Sequence, residues 1–165
     1  MQRTNPDPGE RERFRDVMGH FTTGVTVVTS RGPDGSPCGL TANSVASVSL
    51  DPLLVLVCLD REAASHGCII EGGTFAVSIL SSEDEDVARR FSEGERRGRF
   101  EGLELGEAVT GSPVLGGALA WLDCRVTEVH EGGDHSIVVG EVVACDAREG
   151  SPLIFFRGRY HRIPL

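Results

Sequence analysis

The segment Cys38–Pro52, CGLTANSVASVSLDP, is rich in small side chains that donate and accept hydrogen bonds without carrying charge. Its polar members are Thr41, Asn43, Ser44, Ser47 and Ser49. Hydroxyls, an amide and backbone N–H groups on a chain of small residues can hold a phosphate or the polar edge of a ligand without a cation. These residue types therefore indicate a binding surface. A Ser-rich loop between two strands is the alternative explanation of the same composition.

The basic residues exclude several kinds of catalytic site. All 16 are Arg, and no Lys occurs in the chain, which excludes a Schiff-base lysine, a P-loop lysine and a lysine general base. The chain also lacks a G-x-S-x-G motif and a G-x-G-x-x-G motif after a strand. A nucleophile elbow and a Rossmann dinucleotide site are excluded on that ground.

Two further groups of residues could bind metal. The five cysteines are odd in number, have no C-x-x-C spacing and lie mostly in apolar runs, so we expect reduced, largely buried thiols in a cytoplasmic protein and no zinc site. An acid and histidine cluster surrounds one predicted hairpin turn. A solvated turn is its usual explanation, and we predict no metal there. Its members are Glu128, His130, Glu131, Asp134 and His135.

Composition indicates one mainly β domain. A chain of 165 residues can bury a core by itself, and 21 Gly with only 5% aromatic residues favours turns and strands over a helical bundle. The formal net charge of −9, without a basic cluster, argues against nucleic acid and membrane surfaces as partners. The N-terminus has no apolar signal core, and no run approaches membrane length.

The segment Cys38–Pro52 itself predicts neither a clean strand nor a stable helix, because its polar positions do not alternate and its side chains compete for backbone hydrogen bonds. Elsewhere the hydrophobic pattern predicts about seven strands and two or three helices. The clearest strands are Gly24–Ser30, Leu53–Leu59, Thr74–Leu80, Ala118–His130, His135–Arg148 and Leu153–Ile163. The helices are Glu10–Phe21, a short helix or turn over Ala63–Ile70, and one from Ser81 to about Phe91.

These elements predict an antiparallel β-barrel, closed or partly closed, with a few flanking helices. Residues 1–9 are Pro-rich and polar and predict a flexible tail, and residues 10–165 predict a single domain. The apolar stripe of the first helix is expected to pack against a sheet. Ser92–Gly111 is charged and Gly-rich and predicts a long loop.

From about Phe14 to Ile163, the order and spacing of motifs resemble the flavin reductase-like family, the small reductase components of two-component flavin monooxygenases. The most specific pieces are T-A-N-S followed by S-V-S-L-D-P, and G-D-H followed by G-E-V. The resemblance implies the FMN-binding split-barrel fold, a flavin (FMN or FAD), and NADH or NADPH as hydride donor.

The resemblance also implies roles for individual residues. The predicted contacts with the flavin ribityl chain, phosphate and ring are Thr41, Ala42, Asn43, Ser44, Ser47, Val48 and Ser49. Thr26 and Val27 would approach the ring, and Cys58, Leu59 and Asp60 would lie near the phosphate. Ser65 and Phe91 would complete the pocket. His135 would border the nicotinamide as the one catalytic candidate, with Tyr160 a weaker candidate for that side. A hairpin residue bonded to the Asp134 backbone is the alternative explanation of His135.

One departure from the family pattern concerns the loop after Phe100. It reads EGLELGEAVTGSP and has no aromatic residue where relatives often carry one. The pocket for the pyridine nucleotide is therefore expected to differ. Arg96, Arg97 and Arg99 could reach a pyrophosphate or 2′-phosphate, and a solvated charged loop is the alternative.

The predicted function is an NAD(P)H:flavin oxidoreductase that supplies reduced flavin to a separate monooxygenase. Hydride transfer between stacked rings needs positioning and no nucleophile, which agrees with the lack of a catalytic triad or metal motif. A cytoplasmic homodimer is implied by the resemblance. The alternatives are a split-barrel flavin carrier that holds FMN tightly without NAD(P)H activity, and a related barrel that binds haem or a pyridoxal derivative.

Overall fold

The computed structural model describes residues 5–93 and 98–163, which form a mainly antiparallel β structure with three helices. A seven-stranded sheet has the order β3-β2-β6-β9-β10-β5-β4, a three-stranded sheet the order β1-β11-β12, and β7 pairs with β8. The strands are β1 Thr23–Gly24, β2 Thr26–Arg31, β3 Pro37–Ala42, β4 Val45–Leu50, β5 Leu53–Asp60, β6 Thr74–Ile79, β7 Leu105–Glu107, β8 Pro113–Leu115, β9 Ala120–Gly132, β10 His135–Ala147, β11 Leu153–Phe156 and β12 Arg159–Arg162. The helices are α1 Pro8–Gly19, α2 His66–Gly72 and α3 Glu85–Glu93.

The predicted barrel is confirmed. Its two outermost strands, β3 and β4, are consecutive in the chain and are joined only by Asn43 and Ser44. The Cys58 backbone N–H donates to the Ser44 carbonyl at 3.0 Å, which ties this corner to β5. Thr26 Oγ1 donates to the Ala42 carbonyl at 2.7 Å and fixes the neighbouring end of β3. The polar segment therefore turns the corner at which the barrel closes.

Two core clusters lie on opposite faces of β2. Val28 packs inside the barrel with Phe75, Val57 and other apolar side chains, whereas Val27 packs in a second cluster that includes Phe91 of α3. The sequence of a strand that is buried on both faces is typically a continuous run of β-branched residues, and GVTVVTS is such a run. The sequence predicted this strand, and the structure shows why it has no polar face.

The predicted segment Cys38–Pro52 contains two strands, not a loop. β3 and β4 each run for six residues, and a two-residue corner separates them. The pattern failed to predict them because β4 has no buried residue and so carries no hydrophobic alternation. A bulge between Ser47 and Ser49 further disturbs the period-two pattern, because it places an extra residue opposite β5.

Helix α1 begins at Pro8, so Pro8 and Gly9 lie in the helix and not in the predicted tail. Asp7 is its N-cap and forms a reciprocal capping box with Glu10, which explains the early start. The expected packing of the α1 stripe on a sheet is wrong, since no residue of α1 is buried. Its exposed apolar residues, together with the one just after the helix, are Phe14, Val17, Met18 and Phe21, with 49–69% of their surface accessible.

Three other predictions need correction. The expectation of five reduced cysteines is wrong for Cys38 and Cys68, which form a disulfide between β3 and α2. The predicted final strand is two strands, because Arg157 and Gly158 both have positive φ and form a hairpin turn. The long loop of Ser92–Gly111 contains the short strand β7 in its described part. No helix among the described residues is long and apolar enough to cross a membrane.

Gly140 of β10 offers a test of barrel packing. A Cβ at this position would lie 2.5 Å from Phe75 Cζ, whereas a Cβ at Gly24 of β1 would meet nothing within 4 Å. Because overpacking a filled core is destabilising, Gly140→Ala should lower the free energy of unfolding by about 1–3 kcal/mol. Gly24→Ala is the matched control and should leave it nearly unchanged. The measurement is urea unfolding, and equal midpoints for the two variants would contradict this packing.

Candidate functional site

The exposed polar side chains of the barrel corner and β4 form an open row of hydrogen-bonding groups. Asn43, Ser44 and Ser47 are exposed, and the side chain of Val48 is 49% accessible. Asn43 and Ser47 make no side-chain hydrogen bond to any described residue, so their donors and acceptors are available to a ligand. Among the described strands β4 pairs with β5 alone, so its outer edge also presents backbone groups without a strand partner there.

Other polar residues of the segment hold the corner in place. Thr41 Oγ1 donates to the Ala88 carbonyl of α3 at 2.6 Å. Ser44 Oγ donates to the Cys58 carbonyl at 3.0 Å, and Ser49 Oγ accepts from the Asp51 backbone N–H at 3.1 Å. These side chains position the backbone at the rim of the open row, while Asn43 and Ser47 remain available.

His135 lies on β10, which is separated from β4 by β5. His135 pairs in register with Asp60 of β5. Cys58, on the same face of β5, pairs with Ile137, and its carbonyl accepts a hydrogen bond from Ser44 Oγ. Ser47 pairs with Val55 at the other end of β5. Five residues of strand separate Val55 from Asp60, which corresponds to roughly 17 Å along the sheet. Because Val55 faces the core whereas Asp60 lies on the outer face of β5, the register puts Ser47 and His135 on opposite faces of the sheet.

The hairpin turn at His135 is fixed by short polar contacts. His135 Nδ1 lies 2.8 Å from the Asp134 carboxylate, and the side chain of His135 remains 41% exposed. The Asp134 pKa lies below its usual value, first because of the hydrogen bond with His135 and second because of the histidine's charge. The Arg61 backbone N–H donates to the Asp134 carbonyl at 3.0 Å, which joins this turn to the end of β5. The bond to the Asp134 side chain leaves the His135 Nε2 edge available to a ligand.

Several predicted contacts have buried side chains. Val27 and Leu59 have no accessible surface and belong to the two core clusters, and Thr26 and Ala42 are joined by the hydrogen bond described above. Cys58 is half-buried on the outer face of β5, and burial raises the pKa of its thiol. Thus only the backbone of Val27 or Leu59 could face a ligand, while Asp60 is exposed.

Ser65 and Phe91 meet at one backbone position, Gly39 of β3. Ser65 Oγ donates to the Gly39 carbonyl at 2.8 Å, and Arg99 Nη1 donates to the same oxygen at 2.8 Å. A Cβ on Gly39 would lie 3.0 Å from Phe91 Cε1 and 2.9 Å from the Val28 carbonyl oxygen. Ser65 and Phe91 are each 1% exposed, and both contact β3 at this position. Arg96 and Arg97 lie outside the described residues.

Tyr160 does not lie beside His135 in the sheet. It belongs to β12 of the separate three-stranded sheet, where its ring packs 5.4 Å from Phe155 and beneath the Arg89 guanidinium at 5.0 Å. Tyr160 and His135 therefore belong to different sheets.

Sequence reasoning missed His66. Its Nε2 lies 2.9 Å from Ser136 Oγ, on the residue after His135, and it links α2 to β10 across 70 residues of sequence. No local pattern signals such a contact. Sequence reasoning also missed Gly39. A glycine in a strand indicates that other atoms approach the backbone closely, but it does not show which atoms they are.

The donor set fits a flavin. Flavin ring carbonyls, ring nitrogens and the ribityl chain require neutral donors and acceptors, which the exposed amide, hydroxyls and edge-strand backbone of β4 provide. Close approach is possible because the residues of this row are small. No cationic group is required along the ring, in agreement with the composition of the segment.

Comparison with known proteins agrees with this description. The family model "Flavin reductase like domain" matches residues 18–164. An NADH-dependent FMN reductase of Agrobacterium fabrum is 44% identical over 156 residues, covering 93% of this chain and 87% of the relative. The reductase subunit of a flavin-dependent monooxygenase from Rhodococcus jostii is 41% identical, covering 90% of this chain and 75% of the relative.

A solved structure is similar over nearly the whole chain. The NADH:FAD oxidoreductase of Streptomyces globisporus C-1027, determined with NAD and FAD fragments, has a TM-score of 0.88 and 38% identity, and the match covers 98% of each chain. The family model spans most of the chain, and these relatives exceed the identity at which a shared fold and family are expected. The chain belongs to the flavin reductase-like family.

Proposed function

We propose that this protein transfers a hydride from NADH to FMN or FAD on the surface between β4 and the His135 hairpin, and that the reduced flavin serves a separate monooxygenase. The observation that carries the proposal is the set of exposed neutral donors at the barrel corner and on β4, and His135 is likewise exposed at the start of β10. The relatives named as NADH-dependent reductases and as monooxygenase reductase subunits support it.

The chain's own groups position the reactants. Asn43, Ser47 and the free edge of β4 bind the polar groups of the flavin, while Thr41 and Ser44 hold the backbone of the corner. The bound flavin supplies the hydride acceptor at its N5. Because hydride transfer requires two rings in contact, placement of the rings accounts for most of the rate, and no nucleophile is needed.

His135 orients the nicotinamide in this proposal. Its Nδ1 is engaged by Asp134, which fixes the ring and leaves Nε2 for the carboxamide or ribose of the dinucleotide. A proton transfer by His135 is not required. Tyr160 is assigned no contact with the nicotinamide.

The charges around this hairpin favour NADH over NADPH. The two joined turns carry four acidic residues and one cation, Arg61. The acidic residues are Asp60, Glu62, Glu131 and Asp134. A 2′-phosphate would add about two negative charges to this acidic rim, and like charges repel. Use of NADH, a coenzyme of the cell interior, is consistent with the cytoplasmic location we propose.

A homodimer would cover the apolar stripe of α1. The helix contributes nothing to either core cluster of its own chain, yet its stripe is wide and apolar. An exposed apolar surface of this kind is typical of an interaction site. We propose that a second copy packs on this stripe.

The reductase proposal is tested by NADH oxidation. Wild-type protein should oxidise NADH only when FMN or FAD is added, and NADPH much more slowly. His135→Ala should raise the KM for NADH up to about tenfold, the equivalent of one lost hydrogen bond, with flavin affinity unchanged. His130→Ala is the matched control, because His130 is an exposed histidine of the same hairpin paired with Glu128.

A yellow protein that retains FMN through purification and does not oxidise either nucleotide would overturn the reductase proposal and favour the flavin-carrier alternative. Equal effects of the His135 and His130 substitutions would overturn the role of His135 alone. Flavin affinity, followed by fluorescence quenching, separates a defect in flavin binding from a defect in nicotinamide binding.

The dimer proposal is tested by sedimentation velocity. Phe14→Arg places a charge in the exposed stripe, whereas Glu12→Arg places the same side chain on the opposite face of α1. Because a central apolar anchor contributes about 2 kcal/mol or more to an interface, Phe14→Arg should weaken association by about 30-fold or more. A monomeric wild-type protein, or equal dimerisation of both variants, would contradict the proposal.

A further inference from the structure

The disulfide between Cys38 and Cys68 closes a loop around the proposed flavin surface. The two residues lie 30 positions apart, on β3 and α2. Most of the residues proposed to bind or position flavin fall between them. They are Thr41, Ala42, Asn43, Ser44, Ser47, Val48, Ser49, Cys58, Leu59, Asp60 and Ser65.

Helix α2 is attached to the barrel by the disulfide and also by Ile69, which is fully buried in the core. Just before the helix, Ser65 Oγ donates to the Gly39 carbonyl, next to Cys38 in β3, and His66 contacts Ser136 beside His135. The disulfide alone is covalent. Its reduction would leave β3 and α2 joined near the site only by hydrogen bonds and side-chain packing, so the corner from Thr41 to Ser44 would be less constrained in the reduced protein.

The bond is placed where small reagents can reach it. Cys38 is 6% exposed and Cys68 is half-buried, and the Cys68 sulfur lies near the β2–β3 turn, 3.6 Å from a Cβ built on Gly32. Of the other cysteines, Cys124 is fully buried and burial raises its pKa to about 12, and Cys145 is exposed on β10. Among the described residues, only Cys38 and Cys68 form a disulfide.

The reaction of reduced flavin with O2 provides an oxidant, hydrogen peroxide, for the Cys38 and Cys68 thiols. A reduced flavin that is not consumed by a monooxygenase reacts with O2 to give oxidised flavin and hydrogen peroxide. One molecule of hydrogen peroxide then converts the two thiols to one disulfide and two molecules of water, the peroxide oxygen atoms taking up the two electrons and the two thiol protons. A small-molecule or protein dithiol reverses the reaction by thiol–disulfide exchange.

We propose that Cys38–Cys68 is a reversible cross-link, formed by hydrogen peroxide and broken by dithiols, that sets the affinity of the protein for flavin. The cross-linked form holds β3 and α2 together and binds flavin more tightly, and the reduced form binds it more weakly. In a compartment where thiols are kept reduced, a disulfide of this kind responds to oxidant and is not permanent. The inference rests on the proposed placement of flavin along the β3–β4 corner.

The test compares wild-type protein reduced with dithiothreitol and then freed of it with the same protein treated with hydrogen peroxide. Thiols counted by alkylation after denaturation should fall from five to three on oxidation, since Cys58, Cys124 and Cys145 remain free. The dissociation constants for FMN and FAD should be at least about fivefold lower in the oxidised form, the low end of coupling between two sites. The kcat at saturating flavin should be nearly unchanged.

Variants assign the effect to this pair. Cys38→Ser and Cys68→Ser should each bind flavin like the reduced wild type, whatever the treatment, whereas Cys145→Ser is the matched control and should keep the full redox response. Circular dichroism of the reduced wild type shows whether the fold persists, so the comparison does not depend on the variants folding.

Two results would overturn the inference. One is a thiol count of five after peroxide treatment. The other is the same flavin affinity in both redox forms of a protein that oxidises NADH. Loss of flavin-dependent NADH oxidation in both forms would instead contradict the proposed function, so the two failures are distinguishable.

Discussion

The close packing around Gly39 is the constraint on which the barrel corner and the proposed site both depend. The position has no room for a side chain, because the Val28 carbonyl and the Phe91 ring are in contact range of any Cβ. Its carbonyl oxygen accepts hydrogen bonds from Ser65, just before α2, and from Arg99, between α3 and β7. Gly39 of β3 is therefore in contact with the segment before α2, with Phe91 of α3 and with the segment after α3. Two residues further on, Thr41 binds the α3 backbone and the exposed polar row begins.

This arrangement divides the polar segment into two functional classes. Thr26, Thr41 and Ser44 donate to backbone carbonyls and keep the corner rigid, whereas Asn43 and Ser47 are exposed and available. A surface that binds by neutral hydrogen bonds must be held in place beforehand, since each bond contributes little free energy and ordering the groups costs entropy. The supporting contacts therefore matter as much for binding as the contacting groups. The same reasoning underlies our proposal that a cross-link beside Gly39 changes flavin affinity without contacting the flavin.

The exposed apolar stripe of α1 and the acidic turns around His135 are the two surfaces that we propose bind a second copy and the dinucleotide, respectively. The helix has an exposed apolar stripe, and its N-terminus is capped by Asp7. The turns join Asp60, Arg61, Asp134 and His135 through backbone hydrogen bonds and one side-chain hydrogen bond. Because both surfaces are fixed by local contacts, each can be altered by substitution without disturbing the two core clusters.

The sequence by itself determined the strands with strong hydrophobic runs, the β9–β10 hairpin and the family, because these depend on local pattern and on the order of motifs. It also identified Asn43, Ser47 and His135 as candidates for binding. Tertiary structure decided the rest. It paired Cys38 with Cys68 across 30 residues, buried the Ser65 and Phe91 side chains against Gly39, and left the α1 stripe exposed. Periodicity shows which face of an element is apolar, but only the packed chain shows what that face meets.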